Sequence, residues 1–202
     1  MKTDLLPVHF FEINDSIYAG FWKRIGAMLL DFVIVLPIIF LFQYLNGLDR
    51  TIYYYTMIPY LLFFMWFHIY LVKRYGGTPG KLIVGIKIVK KNADSVDWQA
   101  SIMRYIITIA LTLISMIIMI VSLSMIDDST YLNLDFWQRS KYLTELNPTL
   151  FKIQMWISNI WVYSEFIVLL TNDRKRSIHD FMAGTVVIKA KYHNKIIELI
   201  NK

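Results

Sequence analysis

The chain contains no cysteine. Disulfides, zinc–thiolate sites and thiol nucleophiles are therefore excluded. Charge is also scarce: Asp, Glu, Lys and Arg make up 18% of 202 residues, against roughly 25% in an average soluble domain. Only 8 glycines and 5 prolines interrupt the sequence, which leaves room for long unbroken helices. The four histidines, His9, His68, His179 and His193, are scattered without metal-ligand spacing. His179 beside Asp180 is a weak pair, and no Ser-His-Asp set is visible. The expectation is a protein without enzymatic activity, cofactor or metal.

What the chain has in abundance is apolar surface. Hydrophobic residues reach 56%, above the roughly 45–50% of soluble proteins. The formal net charge is +6, and the basic residues flank apolar runs. That placement suits an anionic membrane leaflet, and no nucleic-acid partner is expected. The first fifteen residues carry Asp4, Glu12 and Asp15 and lack an apolar centre, so they do not read as a signal peptide.

Four runs are long enough to cross about 30 Å of hydrocarbon, which takes about 20 helical residues. They cover 21–44, 52–72, 101–126 and 153–171. The fourth is the most interrupted, with Ser158, Asn159, Ser164 and Glu165. Basic residues concentrate in 73–99 and in the tail after 171, whereas 43–51 and the acidic loop 127–152 carry few in excess. The excess of Lys and Arg places the first two segments, and both termini, in the cytoplasm. Both termini on one side require an even number of spans, which agrees with four.

The segments KLIVGIKIVKK (81–91) and TVVIKAKY (185–192) are rich in β-branched residues and read as two short strands. They are expected to pair as an antiparallel ribbon against the cytoplasmic helix ends, with Val187 on the same side as Lys189 and Lys191. The fold class is therefore an all-α polytopic membrane protein with four transmembrane helices and a small cytoplasmic two-stranded β ribbon.

Charge at membrane depth is costly and marks a candidate site. Span one carries Arg24 and Asp31, seven residues apart and so on nearly one face, about 10 Å apart along the axis. Arg24 is expected to snorkel to the surface. Asp31 lies deeper and needs another partner or a proton. In span three, Arg104, Thr108, Ser115 and Ser122 form a stripe, with Ser101 and Thr112 at its edges. Arg104 is expected to face inward and pair with Asp31. In span four, Ser158, Glu165 and Asn172 recur every seven residues, with Gln154 near the same stripe. Asp31 and Glu165 lie at similar depth. As two facing carboxylates they are candidates to bind a proton or small cation, with Arg104 modulating them. Ordinary helix packing explains the hydroxyls equally well, and His68 in span two reads as a packing residue.

Three stretches resemble a known family: AGFWKRIGAMLLDFVIV in span one, YGGTPGKLIVGIKIVKK after span two, and TNDRKRSIHDFMAGTVVIK near the end. Together they resemble the RDD family of bacterial membrane proteins, named for one arginine and two aspartates. Arg24, Asp31 and Asp180 match that signature, and the likeness runs from residue 19 to residue 190. It implies a single RDD-like membrane domain over 1–202 in the bacterial cytoplasmic (inner) membrane, with transport suggested for some members. The loop between spans three and four and Glu165 lie outside the signature. Asp180 is expected to cap the turn into the second strand or to bridge to Arg24.

Gly76, Gly77, Pro79 and Gly80 read as a turn out of span two. The stretch has a superficial likeness to a phosphate loop. It lacks the required spacing, has Leu82 where Ser or Thr belongs, and leads into an expected strand.

Two functional readings follow. The first is a transport-related protein, exchanging cations or protons, that acts as a homo-oligomer because four spans enclose little space. The second is a non-transporting accessory or scaffold subunit of a larger membrane complex. In that reading the loop 127–152, with Tyr131, Trp137 and Tyr142, is the docking surface.

Overall fold

A computed structural model describes residues 6–8 and 15–201. Of the N-terminal stretch argued not to be a signal peptide, residues 1–5 and 9–14, including His9, lie outside the described residues.

Ten α-helical segments and two strands are described. Helix α1 is Phe21–Leu48 and α2 is Ile52–Met65. Helix α2 continues through a π-helical turn, Trp66–Tyr70, into α3, Leu71–Tyr75. A short α4, Pro79–Ile83, leads to β1, Ile86–Lys90. Helix α5 is Trp98–Ser124, followed by α6, Asp128–Asn133, and α7, Phe136–Leu146. Helix α8 is Pro148–Thr171, and α9 is Ile178–Met182. Strand β2 is Thr185–Lys189, and α10 is His193–Asn201.

Four stretches are long and apolar enough to cross a membrane: Phe21–Leu48, Ile52–Ile83, Trp98–Ser124 and Pro148–Thr171. Each expected span overlaps one of these helices. The last of these helices begins at Pro148, because proline fits the first helical turn, where its missing N–H is not needed.

Two compact units divide the chain. The first comprises the described residues within Met1–Ile34, Met65–Tyr105 and Tyr163–Lys202. It holds the antiparallel β1–β2 pair, in which Ile86 faces Lys189, Ile88 faces Val187 and Lys90 faces Thr185. Residues 17–19 run along the free edge of β2: Ala19 N donates to Val187 O at 2.9 Å, and Lys189 N donates to Ile17 O at 2.8 Å.

Both faces of the ribbon are buried. Ile86, Ile88 and Val187 pack with Ala27, Val72 and Ala100 from the long helices. Val89, Val186 and Ile188 pack on the other side with Leu6, Ile17, Tyr18 and Ile196. Helix α10 thus covers the second face through Ile196, with Leu199 and Ile200 beside it. Each such aliphatic side chain contributes about 1.5–3 kcal/mol when fully buried. The expected grouping of Val187 with the lysines is corrected here. Val187 is a core residue because the strand is covered on both sides, and strict alternation requires one wet face.

The stretch 81–91 is not strand throughout. Its first three residues belong to α4, with Pro79 at the helix start. A helix, not a strand, therefore follows the glycine turn. Gly76 ends α3 with φ +80°, a conformation that favours glycine. Its carbonyl accepts from Ile88 N at 2.6 Å, which ties the turn to β1.

The second unit comprises Val35–Phe64 and Ile106–Val162. Its core joins Leu123, Ile126, Tyr131 and Leu143. Arg50 donates to the carbonyls of Leu123, at 3.2 Å, and Ile126, and pairs with Asp128 at 2.8 Å. It thereby caps the C-terminal end of α5, where carbonyls lack helical partners. The expected loop 127–152 is instead mostly helical. Asp127 caps α6 through Thr130 N, and Asp135 forms a capping box with Gln138 at the start of α7. Trp137 is exposed, but Tyr131 is buried, its hydroxyl donating to Asn46 O at 2.6 Å. Tyr131 is thus removed from the expected docking surface.

The polar stripes bind helix to helix. Ser101 Oγ donates to Ile69 O at 2.8 Å in the first unit. Gln154 Nε2 donates to Ser115 Oγ at 2.7 Å, and Asn147 Nδ2 donates to Ser122 Oγ at 3.1 Å, in the second.

Candidate functional site

The charged residues of the first unit form two networks. In one, the carboxylate of Asp31 from α1 accepts from Thr78 Oγ1 at 2.5 Å and from Gly80 N at 2.7 Å. Gly80 N lies in the first turn of α4, where backbone N–H groups have no helical acceptor. Asp31 supplies that acceptor from a neighbouring helix, and its charge suits the helix start. Lys81 Nζ stands 3.9 Å from Asp31 and donates to Thr78 Oγ1 at 3.2 Å.

This approach is possible only because residue 80 is glycine. A Cβ there would lie 2.3 Å from Ala27 O and 2.9 Å from Asp31 Cγ. The glycine-proline stretch therefore does more than turn the chain: it sets α4 directly on α1.

The other network is centred on Asp180, which is fully buried in α9. Arg24 Nη1 donates to its Oδ2 at 2.8 Å. Arg104 Nη1 donates to its Oδ1, and also to Thr185 Oγ1 at 2.6 Å. Thr185 Oγ1 in turn donates to Oδ1 at 3.2 Å. Ser177 caps α9 in a capping box with Asp180, its backbone N and Oγ each 3.1 Å from Oδ2. Arg176 binds the carbonyls of Thr185 and Asp180 at 3.0 and 2.9 Å, with its guanidinium 4.0 Å from the Phe181 ring. Burial alone would push the Asp180 carboxyl up. Arg104 and Arg24 instead hold it well below the usual carboxylate range.

Glu165 joins this second network through His179. Its Oε1 accepts from His179 N at 3.0 Å, and its Oε2 lies 2.5 Å from His179 Nδ1. His179 Nε2 is 2.8 Å from Arg104 Nη2. A guanidinium only donates, so Nε2 accepts and the ring proton sits on Nδ1, facing Glu165. Burial and the neighbouring Arg104 keep this imidazole below the ordinary histidine pKa, in its neutral form.

The structure thus joins Arg24 to Asp180, and Arg104 to Glu165 through His179. The expected pairing of Arg104 with Asp31 is corrected: Arg104 pairs with Asp180. Asp31 and Glu165 share no partner among the described residues, so they do not form one two-carboxylate site. No group of three His, Cys, Asp or Glu placed to hold a metal ion occurs among the described residues.

Sequence reasoning passed over Thr78, Ser177, Thr185 and the His179–Glu165 pair. Thr-Pro before a helix and Ser-x-x-Asp are both recognisable helix starts. The partners of Thr185 and His179 carry no local signal.

The RDD family model matches residues 18–184. The chain belongs to the RDD family. Two relatives come from Bacillus subtilis (strain 168). The uncharacterised membrane protein YteJ is 24% identical over an alignment of 204 positions covering 96% of this chain and 94% of YteJ. The uncharacterised protein YckC is 34% identical over 114 residues, 50% of this chain and 71% of YckC. In this RDD protein, Arg24 and Asp180 form a salt bridge. Asp31 caps a helix through Gly80.

Proposed function

We propose that this RDD-family membrane protein is a non-enzymatic accessory or scaffold subunit of a larger bacterial inner-membrane assembly, with both termini cytoplasmic. One observation carries the reading. The carboxylates most deeply placed, Asp31 and Asp180, have their acceptor capacity taken up by Thr78, Gly80, Arg24, Arg104, Ser177 and Thr185. Buried charges so paired fasten elements together, and breaking one pair leaves an uncompensated charge. The exposed side of α7, with Trp137, is the part that the assembly reading assigns to a partner.

A second reading, proton or cation exchange by a homo-oligomer, is favoured by a single feature. The partly exposed Glu165–His179 pair holds a transferable proton at Nδ1.

The test has two arms. Full-length protein carrying an affinity tag is isolated from native membranes in mild detergent, with wild type compared against Trp137→Ala. The same protein is reconstituted in liposomes to follow pH-dependent cation flux, with Glu165→Gln as control. The scaffold reading expects a stoichiometric partner protein that is lost in Trp137→Ala, with no flux above empty liposomes. Flux abolished by Glu165→Gln overturns it in favour of exchange.

A further inference from the structure

The second unit carries a half-open cavity of about 500 Å³ that neither network of buried charges touches. That volume lies within the range of about 300–1,000 Å³ typical of small-molecule sites. Phe42, Met57, Met116 and Met119 supply much of its wall. Methionine adapts to irregular apolar ligands because it is unbranched and polarizable. Asn46 and Arg139 also line it.

Arg139 is the informative residue. Its Nε donates to Tyr131 O at 3.1 Å and its Nη2 to Leu134 O at 3.0 Å. The guanidinium stacks 4.2 Å from the Tyr131 ring centre. These contacts fix its position, and none of them is to a carboxylate. Every carboxylate of the unit has another partner. Asp49 accepts from Thr51, Asp127 from Thr130, and Asp135 from Gln138. Asp128 pairs with Arg50, and Glu145 lies 3.8 Å from Lys141. The Nη1 group of Arg139 faces Gly47 on the cavity wall, 3.5 Å from where a Cβ on that glycine would sit.

We propose that this cavity binds an anionic single-chain amphiphile, its chain along the methionine and phenylalanine wall and its phosphate or carboxylate on Arg139. The apolar wall favours a hydrocarbon chain. The fixed guanidinium, held by carbonyls and an aromatic ring rather than by a carboxylate, favours an oxyanion, which its Nη1 group on the cavity side can meet with charge-assisted N–H donors. This assignment does not depend on the accessory reading above.

The probe is dodecyl phosphate, added to the full chain in nanodiscs of zwitterionic lipid, with dodecanol and inorganic phosphate in parallel. Melting followed by tryptophan fluorescence reports binding. Dodecyl phosphate is expected to raise Tm and to half-saturate at a concentration at least about tenfold below dodecanol. Inorganic phosphate alone is expected to leave Tm unchanged. Arg139→Gln should bring dodecyl phosphate to the level of dodecanol. Arg139→Lys, which keeps the charge, should retain the preference and separates loss of charge from loss of fold. Met116→Trp, which fills the cavity, should abolish the response to both amphiphiles. Equal half-saturation by the two in wild type, an unchanged preference in Arg139→Gln, an unchanged response in Met116→Trp, or a shift with inorganic phosphate alone would each overturn the proposal.

Discussion

Arg24 and Asp180 are 156 positions apart in sequence, and Arg24 Nη1 meets Asp180 Oδ2 at 2.8 Å. Arg104 binds the other carboxylate oxygen of the same aspartate. One buried anion therefore ties the first and third spanning helices to the short helix that precedes β2.

That bridge sets the first prediction. Asp180→Asn keeps the size of the side chain but removes its charge, leaving Arg24 and Arg104 facing each other without an anion. Breaking a buried pair in this way costs about 3–5 kcal/mol. The melting temperature in detergent is expected to fall well below wild type, and Arg24→Gln should lower it less because Arg104 remains paired. Unchanged melting of Asp180→Asn would show that the bridge does not hold the fold.

Gly80 provides an independent check on the contact between α1 and α4. The methyl group of Gly80→Ala would sit 2.3 Å from the Ala27 carbonyl, so backbone must move. Overpacking of this kind costs about 1–3 kcal/mol. Gly20→Ala, where a Cβ meets nothing within 4 Å, serves as the control. Thermal melting of the two variants should separate clearly, and equal melting would contradict the close approach.

His179 makes stability depend on pH. Burial and Arg104 lower its pKa in the folded state, so below the unfolded value of about 6.5 the unfolded chain binds the proton more readily. Its contribution is fully present above that value and is lost as pH falls towards the folded pKa. Melting temperature should therefore drop between pH 7 and pH 5. His179→Gln keeps a donor for Glu165 and an acceptor for Arg104 but does not titrate. Its pH slope over that window should be shallower than wild type, and parallel slopes would remove His179 from the account.

Several of these residues were legible in the sequence, and their partners were not. Arg104 stood out as a charge on a polar stripe of span three and is indeed buried. Asp31 was its expected partner, yet the bond is to Asp180, 76 positions away. The two strands were visible from their β-branched residues. Their burial on both faces was not, because the covering side chains come from residues 6 and 17–18 and from α10. The segment 127–152 read as an acidic docking loop, although Asp127 and Asp135 each carry a helix start.

By itself the sequence determined the four membrane-length helices, the two strands, the membrane class and the family. Those features depend on apolar length, side-chain branching and local motifs, which act over a few turns of chain. Only the tertiary structure decided that Asp31 caps α4, that Asp180 takes both arginines, and that His179 stands between Arg104 and Glu165. The reason is that a buried charge accepts whichever opposite charge or N–H group the packing brings within about 3 Å. In this chain that choice rests on the close approach allowed by Gly80 and on the docking of α9, which brings Asp180 to both arginines.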